Sequence, residues 1–135
     1  MDVIKCIKER RSIRKFTGEK IPREIIDEIV DAAAFAPSWK NSQTTRYIVI
    51  DERKLIDKIA EECVMGFKYN EKTLKNAQAL VIVNSIVGVS GFEKNGKFAT
   101  TKEDRWQNFD AGIAVQTFCL AAHEKGVGSV ILGYF

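Results

Sequence analysis

Residues 113–122 read "IAVQTFCLAA", and this stretch sets the main packing problem of the chain. It belongs to a predicted helix from about Lys102 to Lys125 that is apolar on nearly every side. Such a helix is normally buried all round, and a chain of 135 residues has few other elements to surround it. Two arrangements are open: a dimer interface covers part of the helix, or the chain itself wraps around it.

Three further helices are predicted from apolar residues that recur every three or four positions. The first covers residues 2–10, with Val3, Ile4 and Ile7 on one face. The second begins near Pro22, which suits a first helical turn, and continues to about Ala36. The third covers residues 52–64.

Strands are predicted at about Tyr47–Ile50, at "ALVIV" (79–83) and at Val127–Tyr134. The run 79–83 has no polar residue, which is typical of a strand covered on both faces. The segment from Val87 to Thr101 contains three glycines and is expected to be a mobile loop. These elements form one compact unit without repeats or low-complexity segments.

Charge and cysteine content narrow the classes of function. The net charge of +3 is mild, and no basic stripe with interleaved aromatic residues indicates nucleic-acid binding. No apolar run reaches the roughly 18 residues needed to cross a membrane, and the N-terminus shows no signal-peptide pattern. Cys6, Cys63 and Cys119 are far apart and form no CxxC pair. We therefore expect three buried thiols, no metal site and a cytoplasmic location.

The catalytic motifs that the sequence lacks are also informative. Glycines 126, 128 and 133 follow a helix and enter a predicted strand, whereas a dinucleotide fingerprint runs from strand to glycines to helix. His123, the single histidine, is predicted to be solvated near the end of the long helix. No group of carboxylates is placed for acid–base work. If the chain is an enzyme, a cofactor therefore supplies the chemistry, and no catalytic side chain is expected.

The segment "RRSIRKF" (10–16) places Arg10, Arg11, Arg14 and Lys15 around Ser12. Short basic runs are commonly solvated loops. Arginine forks and a hydroxyl also match the oxygens of a phosphate. Composition alone leaves both interpretations open.

Five segments, taken together, resemble the nitroreductase family of FMN-dependent oxidoreductases. They occur in the family's order: "RRSIRKF" (10–16), "APSWKNSQ" (36–43), "YNEKTLKNAQALVIV" (69–83), "DAGIAVQTFCLAAHEKGVG" (110–128) and "VILGYF" (130–135). The resemblance implies an α+β nitroreductase-like fold, with a central, mainly antiparallel sheet flanked by helices, in a homodimer with shared FMN sites. Residues 1–135 would form one FMN-binding domain that lacks the family's usual C-terminal extension.

The resemblance also implies roles for individual residues. Arg10, Arg11 and Ser12 match contacts to the FMN phosphate and ribityl chain, and Arg14 matches a cation near the pyrimidine edge of the flavin. Asn70 matches an amide that hydrogen-bonds this edge, or it caps the helix that follows. A second group matches a loop that the other subunit supplies in the family: Pro37, Ser38, Trp39, Asn41 and Gln43. Leu132 and Gly133 match positions where the backbone approaches flavin N5. Trp39 could equally be an ordinary packing residue.

The expected activity is hydride transfer from NADH or NADPH through FMN to a nitroaromatic, quinone or similar acceptor, by a ping-pong mechanism. The alternative is a flavin-binding store, sensor or partner module with little turnover. Two features depart from the family: Thr44 stands where many relatives have proline, and the sequence stops at Phe135. An apolar terminal strand without its usual cover is expected to associate and to hold FMN weakly.

Overall fold

The computed structural model describes residues 2–135 and confirms the α+β prediction. Within these residues it has five α-helices, two strands and a short 3-10 turn. In chain order they are α1 (Val3–Glu9), α2 (Arg23–Ala34), the 3-10 turn (Trp39–Asn41), β1 (Thr45–Ile50), α3 (Arg53–Glu62), α4 (Lys68–Asn76), β2 (Leu80–Ser85) and α5 (Arg105–Glu124).

The predicted helices form where the apolar spacing places them. Asp2 caps α1, because its carboxylate accepts the backbone N–H of Lys5 at 3.0 Å. Helix α2 begins directly after Pro22 and buries Ile26, Ile29 and Ala33. These residues recur at helical spacing and face α5, against which α2 packs.

The two strands pair antiparallel, with Thr45 opposite Ser85 and Ile50 opposite Leu80. This agrees with the predicted antiparallel sheet. The prediction that residues 79–83 are covered on both faces is wrong, because Ile82 and Val83 remain 40% and 38% exposed. An uninterrupted apolar run favours burial on both faces of a strand. Here α5 packs against the two-stranded sheet, and within residues 2–135 no second layer covers the other face.

The predicted strand at Val127–Tyr134 does not form within the described residues. The chain there makes a single parallel bridge, in which the Ile13 N–H donates to the Ser129 carbonyl at 2.9 Å. Ser12 is the residue paired with Ser129 in this bridge. The segment has strand-forming residues but no neighbouring strand along its length, and a strand exists only through such pairing.

Helix α5 packs against α1, α2, β1 and β2, while Phe109 near its start is 53% exposed. The chain thus wraps only part of this helix. A separate apolar core, composed of Ile56, Ala60, Val64 and Leu74, joins α3 to α4. The prediction of three buried thiols is wrong for Cys63, which is exposed after α3, whereas Cys6 and Cys119 are buried.

A large apolar groove of about 930 Å³ lies between α2, β2, α5 and the segment 126–135. Its walls include Ile25, Ile82 and Leu132. No helix among residues 2–135 has the length and apolar character required to span a membrane.

Candidate functional site

Three of the predicted site segments meet near the start of α4. The Arg14 guanidinium carbon lies 5.9 Å from the centre of the Tyr69 ring, a cation–π distance. The neighbouring Asn70 is 5% exposed, and its side-chain amide N–H donates to the Tyr134 carbonyl at 3.4 Å. Phe67 packs its ring 5.0 Å from that of Tyr134. The structure therefore brings Arg14, Asn70 and the C-terminal segment together.

The alternative role for Asn70 as a helix cap is wrong. Helix α4 begins at Lys68 with Phe67 at the cap position, so Asn70 lies within its first turn. A side chain inside the helix cannot occupy the half-extended capping position. The amide is buried and reaches the chain terminus instead.

The basic segment follows α1 directly and carries uncompensated charge. Arg10 caps the end of α1 through its backbone N–H, which donates to the Cys6 carbonyl. Arg11 donates through Nη1 to the carbonyls of Lys8 and Arg10, at 2.6 and 2.8 Å. Among residues 2–135, no carboxylate forms an ion pair with Arg10, Arg11, Arg14 or Lys15.

Ser12 and the C-terminal segment are tied by the backbone bridge to Ser129. Leu132 packs against the core of α3 and α4. Gly133 is exposed, and a Cβ atom added there would meet no atom within 4 Å. The chain itself therefore imposes no steric demand for glycine at position 133.

The predicted loop 37–43 has an unusual backbone. Lys40, Asn41 and Gln43 have φ values of 45°, 54° and 48°, in the left-handed region that residues with a Cβ seldom adopt. The loop is held partly by Ser38, whose Oγ accepts the Gln43 N–H at 2.9 Å. Strain of this kind persists only where surrounding contacts fix the backbone, and it is concentrated at functional sites.

Three side-chain atoms of this loop and its end are buried without a hydrogen-bond partner: Trp39 Nε1, Ser42 Oγ and Thr44 Oγ1. Buried polar atoms are nearly always paired, so the loop has unused capacity to bind a polar group. Thr44 is the residue that departs from the family pattern. Packing also accounts for Trp39, whose ring lies 4.8 Å from that of Trp106.

Asp110 and Ser90 complete the surroundings of the loop, and the sequence did not identify either. Asp110 is 2% exposed on α5 and accepts the Trp39 backbone N–H. Ser90 donates its hydroxyl to Asp110 at 2.6 Å. The sequence feature that could have pointed to Asp110 is its position as an acidic residue at the edge of an otherwise apolar helical stretch.

The two groups of predicted residues remain separate. Within residues 2–135, no hydrogen bond, ion pair or ring contact joins loop 37–43 to Arg10, Arg11, Arg14 or Asn70. The described part of the chain also contains no cluster of His, Cys, Asp and Glu that could hold a metal ion. The prediction of a solvated His123 is wrong, because its Nε2 atom is buried without a partner.

The sequence and structure were compared with known proteins. The family model described as "Nitroreductase family" matches residues 7–135. A protein of Methanothermobacter thermautotrophicus, provisionally named NADH dehydrogenase/NAD(P)H nitroreductase, is 35% identical over 100% of this chain and 62% of its own length. A protein with the same provisional name from Archaeoglobus fulgidus is 32% identical over 99% of this chain and 68% of its own length.

Among solved structures, a provisionally assigned nitroreductase from Desulfovibrio desulfuricans in complex with FMN is similar, with a TM-score of 0.74 and 28% identity. The match covers 99% of this chain and 69% of that one. The present chain thus spans about two thirds of the length of these relatives, and less than two thirds of the first. The match of the family model over nearly the whole chain shows that the protein belongs to the nitroreductase family.

Proposed function

We propose that this chain forms one FMN-binding domain of an oxidoreductase that takes electrons from NADH or NADPH. The observation that carries the proposal is the meeting of three groups near the start of α4: the Arg14 guanidinium, which has no carboxylate partner among the described ion pairs, the buried Asn70 amide and the Tyr134 backbone carbonyl. The name of the Methanothermobacter relative and the FMN bound in the Desulfovibrio structure support it.

The residues present fit FMN chemically. A phosphate needs cations and hydrogen-bond donors, and Arg10, Arg11 and Ser12 supply both without a competing carboxylate among the described ion pairs. The pyrimidine edge of a flavin both donates and accepts hydrogen bonds, as the Asn70 amide does. The orphaned polar atoms of Trp39 and Ser42 offer further partners.

FMN, when bound, supplies the hydride chemistry between a nicotinamide and an acceptor. The chain's own part is to bind and orient. With FMN bound, Arg14 would place a positive charge near the pyrimidine edge, which would favour the reduced state of the cofactor. No side-chain acid or base is required. We propose a ping-pong order, because the nicotinamide would leave before a nitroaromatic, quinone or similar acceptor takes its place.

The proposed assembly is a homodimer in which loop 37–43 of one subunit completes the site of the other. Support comes from the separation of this loop from the arginines within one chain. Helix α5 is also incompletely covered, which favours a second apolar surface against it.

The test is reconstitution of the purified full chain with FMN and, separately, with FAD. We expect visible absorption and flavin fluorescence to show saturable FMN binding with weaker FAD binding. Steady-state oxidation of NADH and NADPH is then measured with a quinone and a nitroaromatic. Binding without turnover would favour the store or sensor instead, whereas no saturable FMN binding would refute the proposal.

A further inference from the structure

Asp110 has an unusual combination of burial and partners. Its two carboxylate oxygens both lie 3.1 Å from the Trp39 backbone nitrogen, and Oδ2 lies 2.6 Å from the Ser90 hydroxyl. Asp110 is 2% exposed and Ser90 is fully buried. The carboxylate therefore connects helix α5 to two loops that are distant in sequence.

No cation compensates this carboxylate within residues 2–135. Burying a charge is costly unless hydrogen bonds replace the lost water. An apolar side chain of similar size usually serves stability at least as well as a buried charge. We therefore expect the hydrogen bonds of Asp110 to serve mainly to hold the two loops in position, and less to stabilise the fold.

The contacts of Asp110 converge on the start of the strained loop. Trp39 is the first residue of the 3-10 turn, and the left-handed residues Lys40, Asn41 and Gln43 follow it. The same place is held from the other loop by the ion pair of Lys40 with Glu93, at 3.0 Å. This second contact is exposed and adds little, so the buried carboxylate is the stronger of the two polar contacts that hold the start of the loop.

We propose that Asp110 is a positioning residue that fixes loop 37–43 in the conformation that receives the cofactor. It does so by accepting the Trp39 N–H while Ser90 orients its carboxylate. Through this anchor it sets the positions of Ser38, Asn41 and Gln43, the loop residues proposed to contact the cofactor. The effect of this anchor on cofactor binding rests on the proposed function, but the anchoring of the loop can be measured without any flavin.

The experiment compares Asp110→Ala, Asp110→Asn and Ser90→Ala in the full chain. A loop readout free of flavin comes from the indole rings of Trp39 and Trp106, which lie 4.8 Å apart and are tilted by 43°. We expect this close, tilted pair to give an exciton couplet in circular dichroism, and Trp106→Phe assigns it. FMN affinity is measured by fluorescence titration. Ile29→Val serves as a control that weakens the buried α2 face without touching either loop.

In Asp110→Ala we expect loss of the couplet and FMN binding weakened about tenfold or more, because a charged acceptor is removed. Asp110→Asn keeps an acceptor for Trp39 and a donor for Ser90, and should stay within about threefold of the parent. Ser90→Ala should fall between them. Ile29→Val should keep the couplet and the affinity despite a lowered thermal midpoint.

The inference is wrong if Asp110→Ala keeps the FMN affinity and the couplet of the parent. It is also wrong if Ile29→Val loses as much FMN affinity as Asp110→Ala when both have the same drop in thermal midpoint. If Asp110→Ala does not fold, Ser90→Ala decides, and a parental result there counts against the anchor. If the parent chain itself fails to bind FMN, the proposed function fails. The couplet alone then shows whether Asp110 holds the loop.

Discussion

Arg10 offers the most direct test of the proposed phosphate contact. A charge-assisted hydrogen bond to phosphate contributes about 1.5–3 kcal/mol, so Arg10→Ala should weaken FMN binding by roughly tenfold or more. The matched control is Arg23→Ala, which removes an exposed arginine paired with Asp27 on α2. Fluorescence titration gives both affinities. Equal FMN binding by the two variants would identify the basic segment as a solvated loop.

Tyr47 gives a prediction about stability and pH. Burial raises the pKa of Tyr47 above its ordinary value, and the negative charge of Cys119 in its ionised form adds a smaller effect in the same direction. The folded state thus holds the phenolic proton more tightly than the unfolded state does. The stability from this proton is complete below the unfolded pKa of about 10, and it is lost as pH rises through the higher folded pKa.

The Tyr47 hydroxyl is also buried without a partner. Tyr47→Phe should therefore raise the free energy of unfolding by about 1 kcal/mol near neutral pH, and its advantage should grow above about pH 10. Urea unfolding across this pH range measures the effect. Tyr69→Phe is the control, since Tyr69 is exposed and should change stability by less than about 0.5 kcal/mol. Destabilisation by Tyr47→Phe would show that the hydroxyl has a partner in solution.

Residue roles could be predicted only in part from the sequence. The order of motifs predicts flavin contacts for Arg14 and Asn70, which stay predictions; the structure places Arg14 against the Tyr69 ring and Asn70 against the Tyr134 carbonyl. Asp110 was missed because a lone carboxylate becomes informative only once its partners, Trp39 and Ser90, are known. These partners lie 71 and 20 positions away along the chain, and a local sequence pattern cannot predict contacts over such separations.

At the scale of elements, the loop from β2 to α5 depends on Gly91. This residue has φ +87°, and an added Cβ would lie 2.2 Å from the Glu103 carbonyl oxygen. Gly88 has a similar φ of +76° but open space around it. Gly88→Ala should therefore show only the backbone cost of about 1–2 kcal/mol, whereas Gly91→Ala adds a steric cost of about 1–3 kcal/mol. Thermal unfolding of both variants separates the two terms, and equal losses would contradict the observed contact.

The elements themselves differ in how far the sequence predicts them. A helix closes its hydrogen bonds within one segment, so the spacing of Ile26, Ile29 and Ala33 was sufficient to predict α2. A strand depends on a neighbour elsewhere in the chain. For this reason the apolar residues of 127–134 predicted a strand that does not form. Those of 79–83 predicted a strand buried on both faces, but the described residues cover only one.

At the scale of the whole molecule, one large apolar groove stands open beside the C-terminal segment. The groove of about 930 Å³ runs beside the C-terminal segment, in which Ile131 is 66% exposed. Contiguous apolar patches of this kind mark contacts with other molecules or promote association. The proposed homodimer would cover part of this surface.

Association should therefore depend on the groove rather than on exposed apolar residues in general. Ile131→Asp places a carboxylate in the groove wall, whereas Val87→Asp makes the same kind of change at a more exposed residue that does not line it. In light scattering over a range of concentrations, we expect the parent and Val87→Asp to associate alike and Ile131→Asp to associate less. Binding of an apolar dye should fall in parallel, because desolvating the new charge is unfavourable. If the parent remains monomeric at every concentration and does not bind the dye, the groove is closed in solution and this account of the whole molecule is wrong.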